Sequence, residues 1–530
     1  MNPSYQPHWS RCEPTGLLYI ASFLQSKNID VRVLDLNVEK MKVEDVIKYI
    51  SSYKPLSIGI SAITRQAERA YQLGRNIKKK FEEINLIYGG VHPTFLPHEP
   101  FKKGCADFVI VGEGEITFYE LIKSILEHKD LKNVKGIVLK QKGKLIHTER
   151  RELLEDLDIL PFLNYSLVPL KKYNTNIHLK EYPGQAIHIM SSRGCTGQCY
   201  YCCSPALFHG KVRYRSIGNI LEEIKEIIDN YEINKIHFHD DNFLIKPKRV
   251  IEFCKAVLES DLSFVWICLA RADIIAQNPE MLGYMKKAGC VGVEMGVECG
   301  DEHVLNVLNR QETKYNIKKA NEYLKANGIA PMYLLMSYSL GENIDTPYIT
   351  AKFYYELRYQ KKFDEIPAFK FTYEPDLAGH LARPSPGSVF YRIAKKQGVF
   401  LARSWNDHVE EKLNFLPNEL INDIPIKNKL FKNLSEFINF FRLYRYNLIL
   451  YRNQNFYISE PLIQKYFGSI KKFIYSMYVI YNEVDGEKSV KDIAEVLGPD
   501  YYVNISKVAP AIAILSIFRI VKAKNLRNIE

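Results

Sequence analysis

The chain has 530 residues, 46% apolar and 25% charged, the ordinary proportions of a soluble globular protein too long for one core and expected to split into about three domains. No secretory signal opens it, and its longest charge-free apolar stretch near the end, Val508 to Phe518, is too short to span a bilayer. The net charge of +11, from 72 Lys+Arg against 61 Asp+Glu, favours acidic partners but is only a mild bias over this length, and a nucleic-acid partner is not expected.

The first 135 residues alternate helical and strand patterns. Leu17, Leu18, Ile20, Ala21 and Leu24 form a helical stripe, and Val31 to Asp35 reads as a strand. Further amphipathic stretches lead to the apolar strands Ser57–Ser61, Leu86–Gly90 and Phe108–Val111. Apolar strands alternating with amphipathic helices predict an α/β, doubly wound parallel sheet. Ligands in such sheets bind beyond the carboxyl ends of the strands. Those ends carry Ser61-Ala62-Ile63-Thr64, Gly89-Gly90-Val91-His92 and Gly112-Glu113-Gly114-Glu115. Glycines there let a large ligand approach the backbone, or simply make tight strand-to-helix turns. An apolar strand is expected before Asn2-Pro3, and the chain begins after it.

Residues 136–185 read as a connector that opens with a hairpin around Lys142-Gly143 and continues through Leu154 to Pro161. A short strand, Ala186 to Met190, then delivers Ser192-Arg193-Gly194-Cys195-Thr196-Gly197-Gln198-Cys199-Tyr200-Tyr201-Cys202. Iron–sulfur clusters ordinarily take four thiolates. This C-x3-C-x2-C trio, with no obvious fourth member, would leave one iron open to an outside ligand, as a catalytic zinc keeps an open position. The alternative is half of a structural zinc site, which needs a second Cys or His pair at a fixed distance. Cys203 is too close to Cys202 to join the trio, and His209 has no partner close behind it.

Repeated strand–helix units follow. A helix capped by Ser216 carries the core-facing stripe Ile217, Ile220, Leu221, Ile224, Ile227 and Ile228. The strand Lys235-Ile236-His237-Phe238-His239 ends in Asp240-Asp241, with His237, His239 and Asp241 on one face. The two histidines read as structural or substrate-lining groups rather than metal ligands. Phe264 to Arg271, Val291 to Gly300 and Pro331 to Leu340 add further strands. Such units build a full or partial barrel with chemistry at the strand C-termini. The last quarter, residues 396–530, reads as mainly helical, with Phe431 to Leu448 a long helix and 475–525 winged-helix-like.

The cysteine trio, its Ser-Arg-Gly lead-in and the order of segments resemble the radical S-adenosylmethionine enzymes. The resemblance covers about three quarters of the chain and extends to the class with an upstream cobalamin-binding domain, which includes C-methyltransferases and the anaerobic magnesium-protoporphyrin ester cyclases. It implies a cobalamin-binding domain over residues 1–135 and a partial (β/α)6 barrel over 186–395. Cys195, Cys199 and Cys202 would hold a 4Fe–4S cluster whose open iron chelates S-adenosylmethionine, and an electron from the cluster would yield a 5′-deoxyadenosyl radical. By position, Asp240 and Asp241 match contacts to the amino group of S-adenosylmethionine, and Arg271 and Glu298 match carboxylate or ribose contacts. Ser61, Gly89, Gly90, Gly112 and Glu113 match the cobalamin loops. The Asp-x-His-x-x-Gly run that supplies an axial histidine in many cobalamin proteins is absent, and neither His8 nor His92 stands in its context. Leu340-Gly341-Glu342-Asn343 is similar to a worn form of the family's Gly-x-Pro-Gly-Glu-Thr turn.

The resemblance implies an enzyme, with methyl transfer to an unactivated carbon its first expectation. A radical cyclase or oxidoreductase without methyl transfer is the alternative, and a cofactor- or peptide-binding protein with a structural metal site a third. It also implies a reducing, cytoplasmic setting, an electron donor such as flavodoxin or ferredoxin, and a small-molecule, lipid or peptide substrate.

Overall fold

A computed structural model describes residues 1–3, 12–175, 181–337, 339–342, 346–360 and 380–396, together with a short antiparallel pairing of 426–427 with 522–523. The expected helix at Phe431 to Leu448 and the winged-helix-like segment at 475–525 lie outside the described residues.

In the first sheet β1 (Ser57–Ser61), β2 (Asn85–Gly89) and β3 (Phe108–Ile110) run parallel, and the hairpin β4 (Ile137–Gln141) and β5 (Lys144–His147) extends it antiparallel beside β3. Lys142 and Gly143 both take positive φ, the geometry a two-residue hairpin turn requires. Both faces of the sheet are covered. Ile58, Ile60, Leu86 and Tyr88 pack with Val46, Ile50, Tyr71 and Ile77, whereas Ile87, Phe108 and Ile110 pack with Leu121 and Ile122.

The expected strand at Val31 to Asp35 is absent. The segment makes one isolated parallel bridge, Asn2 to Asp35, because among the described residues Asn2 alone lies beside it to take up its backbone hydrogen bonds. Asn2 donates to Leu34 O at 2.9 Å and Ser61 donates to Met1 O at 3.1 Å.

The chain continues with β6 (Ile187–Ile189), the short ribbon β7 (Ser192–Arg193) with β8 (Arg213–Tyr214), then β9 (Lys235–Phe238), β10 (Val265–Ala270), β11 (Cys290–Glu298), β12 (Ala330–Ser337) and β13 (His380–Leu381). Apart from the ribbon these strands form one six-stranded sheet in the order β6-β9-β10-β11-β12-β13, all parallel. Sequential parallel order with intervening helices is the layout of an open (β/α)6 barrel. Ile187, Ile236, Phe238, Trp266, Met295 and Val297 face the helices in the largest core. Strand alternation then turns His188, His237, Arg271, Glu294 and Glu298 to the concave side. An apolar floor of Ala186, Ile267, Val291 and Met332 closes that side below them.

Local chemistry sets the element ends. Ser216 caps the helix Ile217–Tyr231 by accepting from Asn219 N at 3.2 Å, as expected. The helix Thr15–Ser26 sits between the two sheets. Its Leu18, Tyr19 and Phe23 are buried in the barrel's core, while its Ile20 lies against Gly114 of the first domain. All ten cysteines are free. No helix among the described residues is long and apolar enough to cross a membrane.

Candidate active site

The loop after β7 carries the three cysteines, and one glycine fixes its path. Gly194 has φ +103°, and a Cβ there would lie 2.0 Å from Lys211 O, so no side chain fits. Asp241 accepts from Gly194 N at 3.0 Å and closes the same turn from β9. The thiols are half-buried at Cys195 and Cys202 and buried at Cys199. Each receives donors: Gly197 N to Cys195 Sγ at 3.3 Å, Ser204 N to Cys202 Sγ at 3.4 Å, and the guanidinium of Arg310 to Cys199 Sγ at 3.5 Å. Arg271 Nη1 stands 3.9 Å from Cys199 Sγ. Donors aimed at sulfur suit a thiolate metal centre, since they stabilise negative charge on the ligand. Burial pushes the Cys195 and Cys202 thiols up, so a bound metal is what would keep them deprotonated. A Cβ on Gly197 would sit 3.3 Å from Cys195 Sγ and 3.9 Å from Cys199 Sγ; the bare backbone leaves that cradle open. The donor set therefore fits a cluster held by three thiolates. His209 pairs with Arg150 instead of completing a zinc site.

Around the trio, the fork of Arg271 grips Asp273 at 3.0 and 2.8 Å, leaving Nη1 toward Cys199. Glu298 ends β11 with φ +59°, a costly conformation for a non-glycine residue and one that clusters at functional sites. It accepts from Tyr201 OH at 2.8 Å and lies 3.8 Å from Arg310. Asp241, Arg271 and Glu298 thus border the cysteine loop. Asp240 does not: it is fully buried, its two oxygens accepting from Ser191 N, Ser191 Oγ and Ser192 Oγ at 2.6–2.7 Å. It braces the strand-to-loop turn and is sealed beneath it, 1% exposed.

Arg310, Glu312 and Tyr201 escaped the sequence reading. Arg310 pairs with Glu312 at 2.8 Å and donates to Gly296 O at 2.8 Å. Glu312 also accepts from Ala272 N at 2.6 Å. The one signal was on β11, where Gly292, Glu294, Gly296 and Glu298 alternate. A Cβ at Gly296 would meet Arg310 Nη2 at 2.5 Å.

Lower on the concave side three imidazoles meet. Ring centroids of His188 lie 4.7 Å from His237 and 5.0 Å from His239. His188 Nδ1 is 2.8 Å from Glu13 Oε2, and His237 Nε2 is 3.4 Å from Glu294 Oε2. His239 is accessible yet surrounded by protein in the concavity. Burial, with His188 and His237 alongside, pushes its pKa down to about 3 against the opposing pull of Glu294. An unfolded histidine titrates near 6.5, so between these values the unfolded chain binds a proton that the fold refuses. This contribution to stability is complete above about pH 6.5 and is lost as pH falls toward 3. His239→Phe is accordingly expected to lose less thermal stability than the parent between pH 7 and pH 5 in anaerobic melts; parallel losses would refute this.

At the other sheet, three strand ends are tied together. Ala62 N donates to Gly89 O at 2.9 Å and His92 N to Ala62 O at 3.2 Å. Thr94 Oγ1 donates to Gly90 O at 2.8 Å and accepts from Gly112 N at 3.1 Å. Gly90 has φ +95°, and a Cβ there would meet Ala62 O at 2.8 Å; the space over Gly112 is open. Ile63 is 42% exposed beside them. Gly89, Gly90 and Gly112 thus form a bare backbone ledge beside Ser61, with the apolar Ile63 at its lip, which fits a large flat ligand. His92 is fully buried, its ring nitrogens at 3.2 Å from Thr64 Oγ1 and 3.0 Å from Glu99 Oε2, so it braces the ledge. Glu113 departs from expectation: Arg193, Arg213 and Leu154 N take up its oxygens at 2.8–3.0 Å. Burial raises its pKa, but the two guanidiniums hold it below the usual carboxylate range.

Comparison with known proteins agrees with both halves. The B12 binding domain profile matches residues 10–122 and the Radical SAM superfamily profile residues 189–354. An uncharacterized methyltransferase of Pyrococcus horikoshii, PH0819, is 28% identical over 397 residues, 74% of this chain and 81% of that protein. The anaerobic magnesium-protoporphyrin IX monomethyl ester cyclase of Synechocystis is 28% identical over 320 residues, 60% of this chain and 62% of its own. The cobalamin-dependent S-adenosylmethionine radical enzyme OxsB superposes with a TM-score of 0.62 at 17% identity, covering 96% of this chain and 78% of that one, a likeness of fold. With a B12-binding domain ahead of a radical S-adenosylmethionine domain, the chain belongs to the cobalamin-binding branch of the radical S-adenosylmethionine enzymes, whose cofactors are a 4Fe–4S cluster, S-adenosylmethionine and cobalamin.

Proposed function

We propose that this enzyme transfers a methyl group from S-adenosylmethionine to an unactivated carbon, with Cys195, Cys199 and Cys202 holding the cluster. The observation that carries the reading is the pair of sites themselves: a three-thiol loop furnished with donors to sulfur, and a bare glycine ledge on the neighbouring sheet. Bound there, the cluster would supply the electron for reductive cleavage of S-adenosylmethionine and cobalamin the methyl carrier. The chain's own residues then have distinct tasks. Arg310 and Arg271 offset the charge gathered at Cys199. Asp241 faces the mouth and would accept from the amino group of S-adenosylmethionine, and Glu298 from its ribose hydroxyls. Ser61, Gly89, Gly90 and Gly112 would bed the corrin.

The stronger similarity to a methyltransferase, over more of both chains than to the cyclase, supports transfer over cyclisation. The division at residues 135, 185 and 395, a flavodoxin- or ferredoxin-type donor, a cytoplasmic setting and a small-molecule, lipid or peptide substrate complete the reading. The test is anaerobic turnover with methyl-tritiated S-adenosylmethionine and fractionated extracts of the source cells. Label in a new product is expected. Label confined to methionine alongside 5′-deoxyadenosine favours the cyclase or oxidoreductase, and a zinc-only protein releasing no 5′-deoxyadenosine removes both enzymatic readings.

A further inference from the structure

The glycine ledge and the cysteine loop come from different sheets, and a cluster of buried charge joins them. Arg193, two residues before Cys195, sends Nη1 to Glu113 Oε1 at 2.9 Å and Nη2 to Glu115 Oε1 at 2.7 Å. Glu113 Oε2 accepts from Arg213 Nη1 at 2.8 Å and from Leu154 N at 3.0 Å. Arg213 Nη1 also donates to Leu154 O at 2.8 Å. The four side chains are only 3–13% exposed, two cations against two anions. Arg193 and Arg213 pair across β7 and β8, and the Arg193 guanidinium lies 5.0 Å from the Tyr19 ring centre. Each end of this bridge continues straight into a cofactor loop: Glu113 follows Gly112, whose upper side is open, and Arg193 precedes Gly194, which admits no side chain.

Buried ion pairs contribute little net stability compared with apolar packing of equal size, whereas their directional contacts can specify one geometry. We propose that Arg193, held by Glu113 and Glu115, is a positioning residue that locks the corrin ledge to the cysteine loop and makes occupancy of one felt at the other. The proposal rests on the two-cofactor reading above. A lysine at 193 keeps the charge but cannot span two carboxylates with a planar fork.

The test is amide hydrogen exchange on the cluster-loaded full chain, with and without hydroxocobalamin. In the wild type, hydroxocobalamin is expected to slow exchange both in 89–94 and 112–115 and in 194–204, by about tenfold in the latter, within the usual range of coupling between sites. In Arg193→Lys the first two segments still respond and 194–204 does not. Glu115→Gln, which removes one charge and little volume, gives the same pattern in milder form and stands in should Arg193→Lys fail to load iron. A response of 194–204 in both variants equal to wild type overturns the proposal alone. A wild type that takes up no hydroxocobalamin overturns the reading beneath it, and the proposal with it.

Discussion

Alanine at Cys195, Cys199 or Cys202 is expected to abolish bound iron and the release of 5′-deoxyadenosine together. The loss should exceed the roughly 10–100-fold that a metal site loses when a group hydrogen-bonded to one of its ligands is removed. The three thiols share one short loop and their supporting donors converge on it, so each variant would leave a cluster with two thiolates and an unsatisfied pocket. Cys199 should be the most sensitive, because Arg310 and Arg271 both stand against its sulfur. Its removal takes the sulfur acceptor from both guanidiniums, and the loss is costly at Arg310, which is buried. Arg310→Lys supplies the graded comparison: one donor remains, the fork to Gly296 O and Glu312 is lost, and the fall should lie within about 10–100-fold. Iron and sulfide content after anaerobic reconstitution, with 5′-deoxyadenosine measured by chromatography, checks the series. Any single alanine variant that retains full iron and cleavage would refute the assignment.

Gly90→Ala should produce the complementary defect, with cobalamin binding lost and the cluster retained. Gly90 combines φ +95° with ψ −177°, a region open essentially to glycine alone, and forcing another residue there costs about 1–3 kcal/mol. The new Cβ would also press on Ala62 O at 2.8 Å and Ala62 N at 3.0 Å, the atoms through which the loops after β1 and β2 hold each other. Relief requires the two loops to part, which destroys the ledge while leaving the strands paired. Titration with hydroxocobalamin followed by absorbance should show binding weakened at least about a hundredfold, which is about 2.7 kcal/mol, with iron content unchanged. Gly104→Ala is the control, since it has a positive φ and nothing within 4 Å of the added carbon. A Gly90→Ala protein that binds hydroxocobalamin as tightly as the parent would count against the ledge as the corrin site.

Periodicity and short motifs made most of the architecture legible, because they are local. Alternating apolar strands announced the parallel strands of both sheets, though not that the hairpin would extend the first one antiparallel; Ser216 announced its helix, and C-x3-C-x2-C placed three thiols in one loop whatever the rest of the chain did. The failures were of a different kind. Val31 to Asp35 has the composition of a strand, yet a strand exists only when a neighbour takes up its hydrogen bonds, and among the described residues Asn2 alone does so. Asp240 and Asp241 are adjacent and chemically identical; the turn out of β9 points one under the loop into Ser191 and Ser192 and leaves the other at the mouth. Glu113 sits in a glycine-rich run, but its partners Arg193 and Arg213 lie 80 and 100 residues away. Arg310 reaches Cys199 across 111 residues. The amino-acid sequence by itself determined which segments are strands of a sheet, which face of each is apolar, and where a cluster loop can form, since those depend on neighbours a few residues apart. Which charges meet across the domains, which carboxylates are left for a ligand, and which guanidiniums stand over the sulfur were decided by the tertiary structure alone, because burial lets a charge persist only where packing has delivered its partner.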